Sequence, residues 1–186
     1  KASDFEVPQN RHRVIIIGIR DDVKGDFVFP SPIISPNLTV STVINNSILE
    51  DEKVEVWPLS PQAQLLSSYI PAGGSWKNIP DDVLPERLKR IRKEIKRYRS
   101  PNFYRKFNLD EIMGTITAAA TPENSGILHP LENRRYSVRE IARFQSFPDD
   151  FKFIGDSIPS KYKMIGNAVP PKLAYHIAKS VLEQVF

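Results

Sequence analysis

Val14-Ile15-Ile16-Ile17-Gly18-Ile19 is a short, continuous, β-branched run. It reads as a strand buried on both faces, the kind found inside a parallel α/β sheet. A lone strand of this type cannot satisfy its backbone groups without neighbours on either side. Nothing else in the chain alternates strand with helix to supply them. The run is therefore expected to dock on elements outside this sequence. The same holds for the last helix, which opens at Pro170-Pro171 and carries Leu173, Ala174, Ile177, Ala178 and Val181 on one face. The chain reads as part of something larger.

Between these ends the pattern is of short helices. One is expected over 39–49 and another over 61–70, with Ser60 as N-cap and Pro61 in the first helical position. Pro85 opens a third, in which Leu84, Leu88, Ile91, Ile95 and Tyr98 fall four, three, four and three apart and make one apolar stripe. Thr115-Ile116-Thr117 is the best candidate strand of an irregular stretch. Ser137-Val138-Arg139-Glu140 is a capping box that starts a helix over 138–146, and Phe147-Pro148 stops it. With 16 prolines and five short helices around few strands, the fold class is α+β or mixed: a small irregular domain between two outlying pieces.

Of the 186 residues, 40% are hydrophobic and 26% charged, enough for a packed core. Cysteine is absent, which excludes disulfides, thiolate metal sites and a cysteine nucleophile in this chain. His12, His129 and His176 lie far apart without ligand spacing, so no metal is expected. No apolar run approaches the roughly 18 residues of a membrane span. The start lacks a signal-peptide pattern, and the expected compartment is the cytoplasm. The net charge of +4 is uneven: residues 86–99 hold eight basic and two acidic side chains, leaving −2 for the rest. Such a local basic surface suits phosphates, or else it is a solvated helix face.

Three clusters carry chemistry. In Gln9-x-Arg11-x-Arg13 the alternation points all three side chains to one side of an extended segment, a polar fork for phosphate or carbonyl oxygens. The alternative is a capped sheet edge paired with nearby acids. The second cluster is 133–148, where a capped helix begins in a basic run and can face an anionic backbone. Its alternative is internal pairing of Arg139 or Arg143 with Asp149 or Asp150. The third is Ile165-Gly166-Asn167-Ala168-Val169-Pro170-Pro171, in which a left-handed Gly166 would end a short helix and leave Asn167 in a bend able to cradle a small polar ligand.

In this order the three clusters resemble the eighth, ninth and tenth motifs of the DNA (cytosine-5) methyltransferases. The match runs through Gln9-x-Arg11-x-Arg13, through Arg135-x-Ser137-x-Arg139-Glu140-x-Ala142-Arg143-x-Gln145-x-Phe147-Pro148, and through the Ile165–Pro171 stretch. The region between the first two, with Gly73-Gly74-Ser75-Trp76, Phe103-Tyr104-Arg105 and Thr115-Ile116-Thr117, is similar to that family's target-recognition region. The resemblance implies three parts. Residues 1–20 would be a strand piece of a Rossmann-like, S-adenosylmethionine-dependent domain, 21–157 the small target-recognition domain, and 158–186 a return segment and helix packing on the catalytic domain.

In that family a cysteine attacks C6 of a flipped-out cytosine, and C5 then takes the methyl group of S-adenosylmethionine. By the resemblance, Gln9, Arg11, Arg13, Thr115 and Thr117 would bind double-stranded DNA, with Arg13 also supporting catalysis at the cytosine. Asn167, Ala168 and Val169 would line the methyl-donor pocket, only part of which lies in this chain. Arg135, Arg139, Glu140 and Gln145 would be structural. The glycine-rich donor turn, the Pro-Cys loop and the Glu-Asn-Val motif are not in the sequence. The chain is therefore expected to be inactive alone and to need a partner or preceding half that carries them, in a bacterial, nucleoid-associated setting. The other readings are a stand-alone, sequence-specific DNA-binding module and a part of a transfer-RNA cytosine-5 methyltransferase.

Overall fold

A computed structural model describes residues 1–33, 35–44, 55–94 and 101–186. Its regular elements are helices: α1 (Val40–Ile44), α2 (Pro61–Ser68), α3 (Glu86–Glu94), α4 (Val138–Phe144), α5 (Ile158–Asn167) and α6 (Pro171–Val185). Single 3₁₀ turns form at Ala2–Asp4 and Trp76–Asn78. Among the described residues the extended segments meet only in isolated bridges, such as Gln9 beside Met113 and Leu128 beside Arg135.

The helix starts follow their caps. The Ser60 hydroxyl accepts from the Ala63 amide to open α2. Ser137 and Glu140 close the reciprocal box at the start of α4. α1 is shorter than the 39–49 expected, and residues 45–49 lie outside the described ones, as do Ile95 and Tyr98 of the α3 stripe.

The two expected strands are not formed among the described residues, and each has a physical reason. The run 14–19 makes no backbone hydrogen bond among the described residues; Val14 is 90% and Ile16 89% exposed, while Ile15, Ile17 and Ile19 are half-buried. At 115–117 the backbone of Ile116 is held by side chains instead of a ladder, as described below. A third correction concerns Gly166, which is not left-handed but lies inside α5, with Ala168 as the extended C-cap.

Three apolar clusters organise the molecule. The central one joins α1, α4 and α5 to the 113–127 stretch through Val43, Met113, Ile116, Tyr136, Ile141 and Tyr162. A second packs α2 and the apolar side of α3 around Leu66, Trp76, Ile79 and Tyr104. A third brings the two chain ends together, with Ala2 and Val7 against Leu173 of α6 and Ile15 and Ile177 beside them. His176 to Glu6 at 2.9 Å and the amide of Gln184, bonded at 2.9 Å to both backbone groups of Val28, extend that contact along α6. The other side of α6 leaves Tyr175, Leu182 and Phe186 exposed.

Candidate functional site

The last carbonyls of an α-helix have no partner within the helix. At the end of α5 they are met by side chains from two distant segments. Gln145, just past α4, donates through Nε2 to Ile165 O at 2.7 Å. Arg11 donates through one terminal nitrogen to Gly166 O at 2.7 Å and Ala168 O at 3.3 Å, and through the other to Ile116 O at 2.9 Å. Arg11 is 1% exposed. Burial, and then the nearby charge of Arg13, lower its pKa to about 10, so it remains a cation at neutral pH. It forms no salt bridge within 4 Å among the described residues. The negative end of the α5 dipole and three carbonyl oxygens take the place of a counter-ion.

Gln9 completes the arrangement. Its Oε1 accepts from Ile116 N at 3.2 Å, and its Nε2 donates to Phe144 O at the end of α4 at 3.4 Å. Both backbone groups of Ile116 are thus held by the Gln9-x-Arg11 pair, and 115–117 does not become a strand. Gly166 makes the approach possible, because a Cβ there would stand 2.5 Å from Thr117 O and 2.6 Å from the Ala118 backbone.

The fork expected from the alternation of Gln9, Arg11 and Arg13 is therefore divided. Gln9 and Arg11 turn inward onto carbonyl oxygens of this chain. Arg13 is exposed and, among the described residues, bonds only to the carbonyl of His12 at 2.7 Å. Thr115 Oγ1 donates to Asn10 O at 2.7 Å, and Thr117 Oγ1 contacts Asn124 and Ser125 at 3.1 and 2.7 Å. Asn167 and Val169 are exposed and Ala168 half-buried, directly beside the carbonyls that Arg11 holds.

The ninth-motif residues sit in internal contacts. Arg135 lies over the Trp57 ring at 4.5 Å and donates to Trp57 O. Arg139 reaches Phe151 O at 3.1 Å, and Arg143 pairs with Asp149 at 2.6 Å. Glu140, 3% exposed, caps α4 and takes a two-pronged contact from Arg134 at 2.7 and 3.0 Å. Burial works against the Arg134 charge, but its bonds to Glu140 and Glu132 outweigh that and raise its pKa. His129, also buried, lies 3.5 Å from Glu140; burial first, and Arg134 second, lower its pKa. Sequence spacing gave no sign of Arg134 or His129 as partners of Glu140, since the contact comes from the turn at 129–135. Among the described residues no group of three or more His, Asp or Glu is placed to hold a metal, and no helix is long and apolar enough to cross a membrane.

The three clusters are one structure, with the first and third joined by a buried arginine. A sequence model of the C-5 cytosine-specific DNA methylases matches residues 1–183. The chain belongs to that family. It is 35% identical over 188 residues to the type II methyltransferase M.NgoFVII of Neisseria gonorrhoeae, covering 97% of this chain and 47% of that protein. It is likewise 35% identical over 200 residues to M.PspPI of Psychrobacter sp. (strain TA137), covering 100% of this chain and 45% of that protein. A DNA (cytosine-5)-methyltransferase of Arabidopsis thaliana, CMT3, is 52% identical over 46 residues, 25% of this chain. The chain spans about half the length of the curated type II relatives it matches.

Proposed function

We propose that this chain is the C-terminal, DNA-recognising part of a DNA cytosine-5 methyltransferase and needs a second half carrying the Pro-Cys loop to act. The observation that carries this reading is the Arg11 junction, which holds together the segments that the family resemblance assigns to DNA and to the methyl donor. The three parts follow as proposals: 1–20 and 158–186 as pieces of the donor-binding domain, and 21–157 as the recognition domain. Packing of residues 1–15 against α6 supports grouping the two ends.

S-adenosylmethionine would be held from this side by Asn167, Ala168 and Val169, and when bound it supplies an electrophilic methyl group. The fit rests on what surrounds the turn. The carbonyls of Ile165, Gly166 and Ala168 already have partners, which fixes the backbone, while the Asn167 side chain is exposed and hydrogen-bonds to nothing among the described residues. Arg13, an exposed guanidinium two residues from Arg11 that is held only by its neighbour's carbonyl among the described residues, would meet the O2 carbonyl oxygen of an extruded cytosine or a phosphate beside it. Arg87, Arg90 and Lys93 on the exposed side of α3 make no hydrogen bond or salt bridge among the described residues, and they supply positive charge for the duplex.

The test is tritium transfer from S-adenosylmethionine to duplex DNA and to transfer RNA, with this chain alone and with the half that carries the Pro-Cys loop. Transfer to duplex DNA only in the mixture is the expected result. Transfer to transfer RNA instead would reassign the substrate. No transfer in any mixture, with salt-sensitive DNA binding retained, would make the chain a DNA-binding module.

A further inference from the structure

The Arg11 guanidinium touches neither DNA nor methyl donor in the reading above, yet it sits between the two sets of residues that would. One terminal nitrogen is bonded to Ile116, flanked by Thr115 and Thr117; the other is bonded to Gly166 and Ala168, which flank Asn167. The bonds to Ile116 and Gly166 are buried and the one to Ala168 is half-buried, and Gly166 packs on the Thr117–Ala118 backbone so closely that no side chain fits between. The two segments therefore have no slack: moving one moves the other or breaks buried hydrogen bonds.

We propose that Arg11 is a positioning residue that sets the spacing between the DNA-facing threonines and the donor-facing Asn167 turn, with Gly166 as its necessary counterpart. This inference rests on the function proposed above. A guanidinium is required because the carbonyls lie on two different nitrogens of one planar fork. A lysine offers a single point charge and reaches one side of the junction only.

Two substitutions test it, Arg11→Lys and Gly166→Ala, the second leaving the guanidinium in place while forcing the two backbones apart. The first readout is hydrogen exchange in this chain. Amides of 114–118 and of 165–169 should lose protection together, by at least tenfold, while amides around Leu66 in α2 keep theirs. The second readout is steady-state kinetics with the Pro-Cys half present. KM for DNA and KM for S-adenosylmethionine should rise in step, at least threefold each, in Arg11→Lys. Asn167→Ala should raise only the donor KM and Thr117→Ala only the DNA KM.

Loss of kcat with both KM values unchanged would mean a smaller folded fraction and would overturn the proposal. So would loss of protection on one side of the junction only, or across the whole chain. If the wild-type mixture transfers no methyl group, the proposed function fails, and the exchange data decide the junction by themselves.

Discussion

Gln9 and Arg13 stand four residues apart and do opposite work. Gln9 is fully buried, and its amide is the hydrogen-bond partner of Ile116 N–H and the Phe144 carbonyl, two groups that water cannot reach. Replacing it with alanine leaves a buried donor and a buried acceptor without partners, which costs about 1–3 kcal/mol. Gln9→Ala should lower the urea stability of the chain by that amount. Arg13→Ala removes an exposed side chain whose one hydrogen bond among the described residues is to the preceding carbonyl, that of His12, and it should change stability by less than about 0.5 kcal/mol. Its effect should fall on methyl transfer in the reconstituted mixture. Alternation alone put both residues on one face and could not separate these roles. The distinction comes from the ends of α4 and α5, whose carbonyls need donors and lie 135 and 155 residues away along the chain.

Among the elements, α4 and α3 show how much a sequence discloses. The start of α4 was legible because a capping box is local: Ser137 and Glu140 meet within one turn. Its charge network was not, because Arg134 and His129 reach Glu140 through a turn that no periodicity marks. That network gives a pH dependence. His129 is held below its ordinary value of 6.5, chiefly by burial, so the unfolded chain binds its proton first as pH falls. Glu140 is held below its ordinary range because the Arg134 bond and the Ser137 amide outweigh the burial that opposes its charge, and stability falls again in stronger acid. Urea midpoints should be level above neutrality and decline from about pH 6.5 downward. His129→Asn keeps an acceptor for the Leu131 and Glu132 amides, which now bond to Nδ1, and should remove the upper part of that decline.

On α3, Lys89 pairs with Glu86, and Arg92 turns in toward Asp81 and the Trp76 ring, so composition overstated the outward charge. Arg87, Arg90 and Lys93 recur every three residues on the exposed side. Changing all three to alanine should reduce the slope of log K for DNA against log salt by about 3, with helix content unchanged. An unchanged slope would remove α3 from the interface.

At the scale of the whole molecule, the lone apolar run that could not make its own sheet forms no strand among the described residues and leaves one of its alternating faces exposed. Val14 and Ile16 face solvent, and α6 presents Tyr175, Leu182 and Phe186 on the side away from the N-terminal segment. Exposed groups of this size on two adjoining pieces of chain are the signature of a covered surface. Their partner is the Pro-Cys half in the proposed reading, since a strand adds to a sheet edge by satisfying backbone groups such as those of residues 14–19, which make no hydrogen bond among the described residues. Placing Val14→Asp and Ile16→Asp together tests this. Neither side chain packs in this chain, so its own urea stability should change by less than about 0.5 kcal/mol. Two charges buried at a sheet-to-sheet contact are costly, so binding to the Pro-Cys half and methyl transfer should both be lost. Loss of stability in the chain alone would show that the run is packed internally, and full activity of the double variant would place the docking surface elsewhere.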